Sequence, residues 1–298
     1  MRFDFDKSAS TFRAMELKSQ PNYGIINLVI YEMRGFSGGF GHAAREGALP
    51  LAAYEDFAAL YDTFMDDVDY DAWSAYYLAL LARMGVRPRT LCDCACGTGS
   101  MAVRFAGRGI RVTGVDLSGE MLARAQEKAR RHGVQAMFVR QDMCALALPR
   151  PVDALICACD GVNYLLDDDR LAAFFGRARA AIRPGGALAF DVSSPHKLKN
   201  VLGNGFFGEE RDDAAYLWSN AFDEATGIVT MDLTFFVREE GDLYRRFTEV
   251  HRQKAHDPAR LAELLGRAGF ADIQIFGDRT FEAPEPDALR MHIVARWE

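Results

Sequence analysis

Residues 92–100, "CDCACGTGS", put two kinds of chemistry side by side. Cys92, Cys94 and Cys96 recur at every second position, so their thiols could gather on one strand face. Gly97 and Gly99 follow, and without a β-carbon they let backbone turn sharply and approach a ligand closely. A helix opening at such a turn aims free N–H groups and its positive dipole end at whatever sits there. Asp93 lies at the end of the strand, just ahead of the glycines. Asp116 ends the next strand in "VTGVD", roughly 20 residues on, where ribose-binding acids sit in dinucleotide folds.

The glycines alone leave the ligand open. Gly97-x-Gly99-x-x-Ala102 satisfies the dinucleotide fingerprint, which would make the chain an NAD-dependent oxidoreductase. A non-catalytic cofactor-binding partner subunit would use the same turn. Asp93 tips the balance. A pyrophosphate gains nothing from a carboxylate at that point, whereas a cation does. S-adenosyl-L-methionine has no phosphate and carries an ammonium and a sulfonium.

The cysteines read mainly as core. Cys157 and Cys159 share a face of another strand, and buried cysteine is a common small apolar filler. Strand C-x-C spacing is also not the C-x-x-C knuckle of a zinc site. No metal is expected, and six cysteines in a chain of this kind are expected to be reduced thiols.

The elements that carry these residues alternate. "TLCDCA", "IRVTGVD", "VQAMFVRQD", "VDALICACD" and "ALAFDVS" read as strands, separated by helices of ten to fifteen residues. This predicts an α/β fold with a mostly parallel sheet covered by helices on both faces. Asp69, Ser118 and Asp257 read as helix caps. Ahead of the first strand, Tyr54, Phe57, Leu60 or Tyr61, and Phe64 recur at helical spacing. Between residues 195 and 257 the alternation gives way to three consecutive strands, an inserted antiparallel meander. Residues 196–256 are expected to form a substrate lid on a domain spanning 51–298. Residues 1–50, with the glycine-rich stretch "RGFSGGFGHAAREGALP", are expected to be an N-terminal extension and linker. "KARRHG", residues 128–133, reads as a solvated helix face.

"LCDCACGTGSMAVRFAGRGIRVTGVDLSGEMLARA" resembles the first two motifs of class I S-adenosylmethionine-dependent methyltransferases. "VRQDM" and the strand after "RPGG" fit the later ones, and the likeness runs from about residue 53 to the end. "FAALYDTFMDDVDYDAW" and "LYRRFTEVHRQ" are similar to a little-characterised bacterial group and, more distantly, to sugar-amine N-methyltransferases. The resemblance implies a Rossmann-like seven-stranded sheet with one antiparallel strand, and methyl transfer to N or O of an acceptor. It assigns the methionine end of the cofactor to Asp93 and the backbone of Ala95, Cys96, Gly97, Thr98 and Gly99. Asp116 takes the ribose hydroxyls. Leu117 lines the adenine, Asp142 receives its amino group with Met143 beside it, and Met121 also belongs to the cofactor site. Backbone near Cys159 and Asp160 faces the sulfonium, and Tyr61 and Tyr70 close over the cofactor. Ala95 departs from the family, which often has glycine there.

Strand alternation in "YRRFTEVHRQ" puts Arg245, Phe247, Glu249, His251 and Gln253 on one face, lining a cleft or facing solvent. Glu249, His251 and Tyr164 are the candidate proton acceptors. Tyr164 stands where the sugar-amine relatives carry a histidine base. A net charge of −7 opposes a nucleic-acid footprint and favours a small-molecule acceptor over RNA. No apolar run approaches the roughly 20 residues of a membrane helix, and the acid-containing N-terminus lacks the order of a secretion signal, so a cytoplasmic location is expected.

Overall fold

The structure, a computed structural model, describes residues 61–298 except 63 and 67. The expected extension over residues 1–50 and most of the helix around Tyr54 lie outside the described residues. Tyr61, Asp62 and Phe64 are helical, as their spacing suggested.

Seven strands form the main sheet: β1 (Thr90–Cys94), β2 (Arg111–Asp116), β3 (Ala136–Arg140), β4 (Val152–Cys157), β5 (Ile182–Ser193), β10 (Ala271–Phe276) and β11 (Arg290–Arg296). Their order is β10-β11-β5-β4-β1-β2-β3. β11 runs antiparallel to both β5 and β10, whereas β5, β4, β1, β2 and β3 pair in parallel. This is the Rossmann-like sheet expected, with its one reversed strand. β4 is buried along its whole length, as a parallel strand covered on both faces must be.

The helices are α1 (Tyr70–Arg83), α2 (Ser100–Gly107), α3 (Gly119–Arg131), α4 (Asp168–Ala181) and α5 (Pro258–Arg267). Three caps read from sequence are present. Asp69 accepts from Ala72 N, Ser118 from Met121 N and Asp257 from Ala259 N. Each satisfies an amide that the first helical turn would leave orphaned. Two apolar cores flank the sheet. One carries Cys92, Cys94 and Cys157 together with Phe174, Phe175 and Phe190; the other carries Tyr77, Leu80, Leu81 and Phe105. The strand cysteines are thus packing residues, and burial pushes the Cys157 thiol well above its ordinary value.

The meander has four strands, one more than the sequence suggested: β6 (Phe206–Glu210), β7 (Ala214–Asp223), β8 (Ile228–Arg238) and β9 (Tyr244–Lys254), antiparallel in that order. β6 is a short edge strand, Phe-Phe-Gly-Glu-Glu, with no buried residue to mark it. Among the described residues no helix is long and apolar enough to cross a membrane.

Candidate active site

β1 ends at the glycine turn, and every device there brings backbone close. Ala95, Gly97 and Gly99 have φ of 54°, 52° and 75°. For alanine that left-handed conformation is strained by about 1–2 kcal/mol. A β-carbon on Gly99 would stand 2.8 Å from Cβ of Ala125 on α3. We predict that Gly99→Ala lowers stability by about 1–3 kcal/mol through this overlap, measured by urea unfolding. A change under 0.5 kcal/mol would show that the turn and α3 part easily.

Asp93 is 1% exposed, and its Oδ2 has no hydrogen-bond partner among the described residues. It lines a small pocket with Tyr61, Tyr70, Ala95, Cys96, Gly97, Thr98 and Ser100. Burial, then the nearby Asp116 carboxylate, push its pKa up from 3.8 to about 8, against a smaller opposing effect of the Ala102 backbone. A buried acceptor without a donor is costly unless a ligand completes it. An unpartnered carboxylate oxygen of this kind is complementary to a cationic group and not to an anion.

Asp116 closes the other side of the turn. Its Oδ2 accepts from Gly97 N at 2.9 Å and its Oδ1 from Ser118 N at 2.9 Å, while burial raises its pKa. A second cleft continues from it, lined by Val115, Leu117, Ser118, Met121, Arg140, Gln141 and Met143. Sequence reading missed Arg140 and Gln141 there, although both lie within the quoted "VRQDM". Asp142, expected to meet the adenine, is placed differently. Its Oδ1 accepts from Cys144 N at 2.8 Å, capping a short turn, and its carboxylate pairs with Arg170 on α4 at 3.1 Å. It is absent from the cleft lining. Those hydrogen bonds hold its pKa below the usual range despite the opposing effect of burial.

Beyond β4 the chain makes two consecutive left-handed residues, Cys159 (φ 59°) and Asp160 (φ 64°). Asp191 on β5 holds this turn, accepting from Cys159 N at 2.7 Å and Asp160 N at 3.1 Å. It also accepts from the Tyr77 hydroxyl at 2.6 Å. Arg290 on β11 is bidentate to Asp160, at 2.5 and 3.0 Å, and reaches Asp191 as well. Sequence gave no sign of Asp191, Arg290 or Asn163 except as polar residues in apolar strands or a turn. Asn163 donates to Ser193 O and Lys254 O, tying the turn to the end of β9.

That tie brings two candidates together. Tyr164 Oη lies 3.2 Å from Nδ1 of His251. Burial lowers the His251 pKa to about 4, so the ring is neutral near pH 7. His251 and Gln253 face inward, and with the Cys159 turn they line a chamber of about 130 Å³. Tyr61, Phe64, Trp73, Tyr216, Trp218, Met231, Leu233 and Phe235 form most of its remaining wall. Tyr61 and Cys159 also line the Asp93 pocket and the Asp116 cleft, so the three spaces meet at these two side chains. Glu249 shares the His251 face of β9, but at 1% exposure it is buried and lines none of them.

The presumed solvated face of α3 is corrected by Lys128, which is 8% exposed. Its ammonium donates to Asp62 at 2.8 Å, Thr98 at 2.9 Å and Ser100 at 2.7 Å, and Thr98 also donates to Asp62 at 2.7 Å. The cluster fastens the segment bearing Tyr61 onto the glycine turn. We predict that Asp62→Ala, which strips Lys128 of its counter-charge, destabilises the protein by about 1–3 kcal/mol in urea unfolding. No change would mean the ammonium is sufficiently solvated without it.

The chain matches the family described as "Methyltransferase domain" over residues 91–186. A methyltransferase-family protein of Geobacillus sp. (strain WCH70) is 36% identical over 244 residues, 82% of this chain and 99% of that one. A dTDP-3-amino-3,6-dideoxy-alpha-D-glucopyranose N,N-dimethyltransferase of Streptomyces fradiae is 31% identical over 145 residues, 48% of this chain and 55% of that one. The crystal structure of an S-adenosylmethionine-dependent methyltransferase from Clostridium acetobutylicum ATCC 824 superimposes with a TM-score of 0.75 at 30% identity, covering 82% of this chain and 98% of that one. With the sheet order, the carboxylate at the glycine turn and the Geobacillus and Clostridium relatives matched along nearly their whole length, the chain belongs to the S-adenosylmethionine-dependent methyltransferases.

Proposed function

We propose that the protein methylates an N or O atom of a small-molecule acceptor seated in the aromatic chamber. The observation that carries this reading is the meeting of three spaces at Tyr61 and Cys159. Asp93 would hold the ammonium of the donor, Asp116 its ribose, and Leu117, Met121 and Met143 its adenine. S-adenosylmethionine supplies an electrophilic methyl group on a sulfonium. The protein's part is chiefly alignment, which lowers such barriers by about 7–11 kcal/mol in favourable cases. The β6–β9 sheet and the Tyr61 segment exclude water from the chamber. His251, neutral and hydrogen-bonded to Tyr164, accepts the acceptor's proton. The Streptomyces fradiae relative is named for a sugar amine, which supports a small acceptor without fixing its class.

The test has two stages. Calorimetry with S-adenosylhomocysteine should give saturable one-site heat. Once an acceptor turns over, His251→Asn should lower kcat by about 10²-fold or more and leave S-adenosylhomocysteine affinity within twofold. A kcat within threefold of the parent would remove His251 from proton transfer.

A further inference from the structure

We propose that the acceptor is a flat, uncharged aromatic molecule bearing a ring hydroxyl or amine, and that the chamber selects against anionic acceptors, nucleotide-linked sugars among them. The proposal rests on the methyl-transfer reading and names the substrate class of that same site.

The wall decides the body of the ligand. Trp73, Trp218, Phe64 and Phe235 are buried aromatic side chains facing one space. Phe64 meets Tyr216 edge-on at 5.2 Å and tilts against Phe235 at 6.0 Å, so the rings form a fixed lining. Such a surface gains most from another ring, stacked or edge-on.

The charges decide what the ligand lacks. Among the described residues lining the chamber, Arg290 is the one cation once His251 is neutral. Its guanidinium is already engaged by two carboxylates, the half-buried Asp160 and the buried Asp191, and lies 5.1 Å from the Trp73 ring. Lys197, 6% exposed, stands near enough to feel Asp160, Arg290, Asp191 and Asp278, so three acids face these two bases and no positive charge is left over. An arriving carboxylate or diphosphate would lose its hydration and meet no unspent cation. A neutral ring pays none of this. Its hydroxyl or amine would sit at the Cys159 end, beside Tyr164 and His251. There the O–C or N–C bond forms as the donor's S–C bond breaks. The acceptor's proton passes to His251 and then to water, leaving methylated product and S-adenosylhomocysteine.

The experiment is a pair of calorimetric titrations of full-length protein already saturated with S-adenosylhomocysteine, at pH 7.5. The probes are 2-naphthol and 2-naphthoate, alike in ring and opposite in charge state, with thymidine diphosphate as a third. We expect 2-naphthol to bind at least tenfold more tightly than either anion. Met231→Lys, which adds a cation to the wall opposite the neutral His251, should shift the preference toward naphthoate by at least tenfold while retaining S-adenosylhomocysteine binding. A smaller naphthol preference, or no naphthol binding, overturns the proposal. Absence of heat in the initial S-adenosylhomocysteine step would instead sink the methyl-transfer reading.

Discussion

Asp93→Asn is expected to abolish binding of S-adenosylhomocysteine and, at the same time, to make the cofactor-free protein more stable above pH 6.5. Both effects come from one buried carboxylate. Its pKa is pushed up from 3.8 to about 8, so the folded chain holds a proton that the unfolded chain releases. A raised acid pKa destabilises the fold progressively as pH rises from about 4 to about 8, with little further effect above. The slope approaches about 1.4 kcal/mol per pH unit. The buried histidines tilt the other way, but lower down. His251 and His256 are pulled from 6.5 to about 4, so their stabilisation is complete above 6.5 and fades as pH falls toward 4. Between pH 8 and 6.5 the Asp93 effect therefore dominates, opposed only near pH 8 by Lys197, whose pKa is lowered from 10.5 to about 8. Wild-type stability should climb by about 2 kcal/mol on going from pH 8 to 6.5, and Asp93→Asn should flatten that climb.

The same proton governs the ligand. The ammonium needs the ionised carboxylate, so binding expels the Asp93 proton. Affinity should rise by up to about tenfold per pH unit from 6 to 8. Calorimetry in buffers of different ionisation enthalpy reads the released proton directly. If Asp93→Asn binds as tightly as the parent, the carboxylate does not grip the ligand.

What could be read in the residues beforehand was what local chemistry dictates. The caps at Asp69, Ser118 and Asp257 depend on a side chain and an amide two or three residues away, and all three were visible. The glycine turn was visible because its φ values demand small residues. The pairing of Asp142 was not legible because its partner, Arg170, is 28 residues distant and arrives only when α4 packs against the turn. Lys128 looked like one cation of a basic run, and only its burial against Asp62 and the hydroxyls of Thr98 and Ser100 sets it apart. Tyr164 and His251 were each suspected, but their pairing depends on Asn163, whose contacts span 30 and 91 residues. Strand alternation put Glu249 and His251 on one face; it could not say that one lines the chamber while the other is buried away from it.

Arg290→Met carries the second large effect, since it leaves the half-buried Asp160 and the buried Asp191 without their guanidinium. Removing one partner of a buried ion pair destabilises by about 3–5 kcal/mol, and here two carboxylates lose the same cation. In the parent the Asp160 pKa lies near 2, held down by Arg290 and Lys197 against its burial. That depression stabilises the fold above about pH 4, and the benefit is lost only as pH falls toward 2. In Arg290→Met the sign reverses for Asp160: burial dominates, protonation relieves the penalty, and the loss relative to the parent should shrink on going from pH 8 to pH 5. Urea midpoints at the two pH values measure this. Adding Asp160→Asn to Arg290→Met should recover a substantial part of the loss, because an amide replaces one stranded charge. The consequence reaches the chamber through geometry. Asp191 holds the left-handed pair Cys159 and Asp160 by its two backbone bonds, and Arg290 braces both carboxylates from β11. With that brace gone the strained turn has less to over-determine it. The wall that Cys159 shares among three spaces should then loosen, and acceptor affinity should fall more than cofactor affinity. Equal loss of both would mean that Arg290 supports the fold as a whole and not this turn.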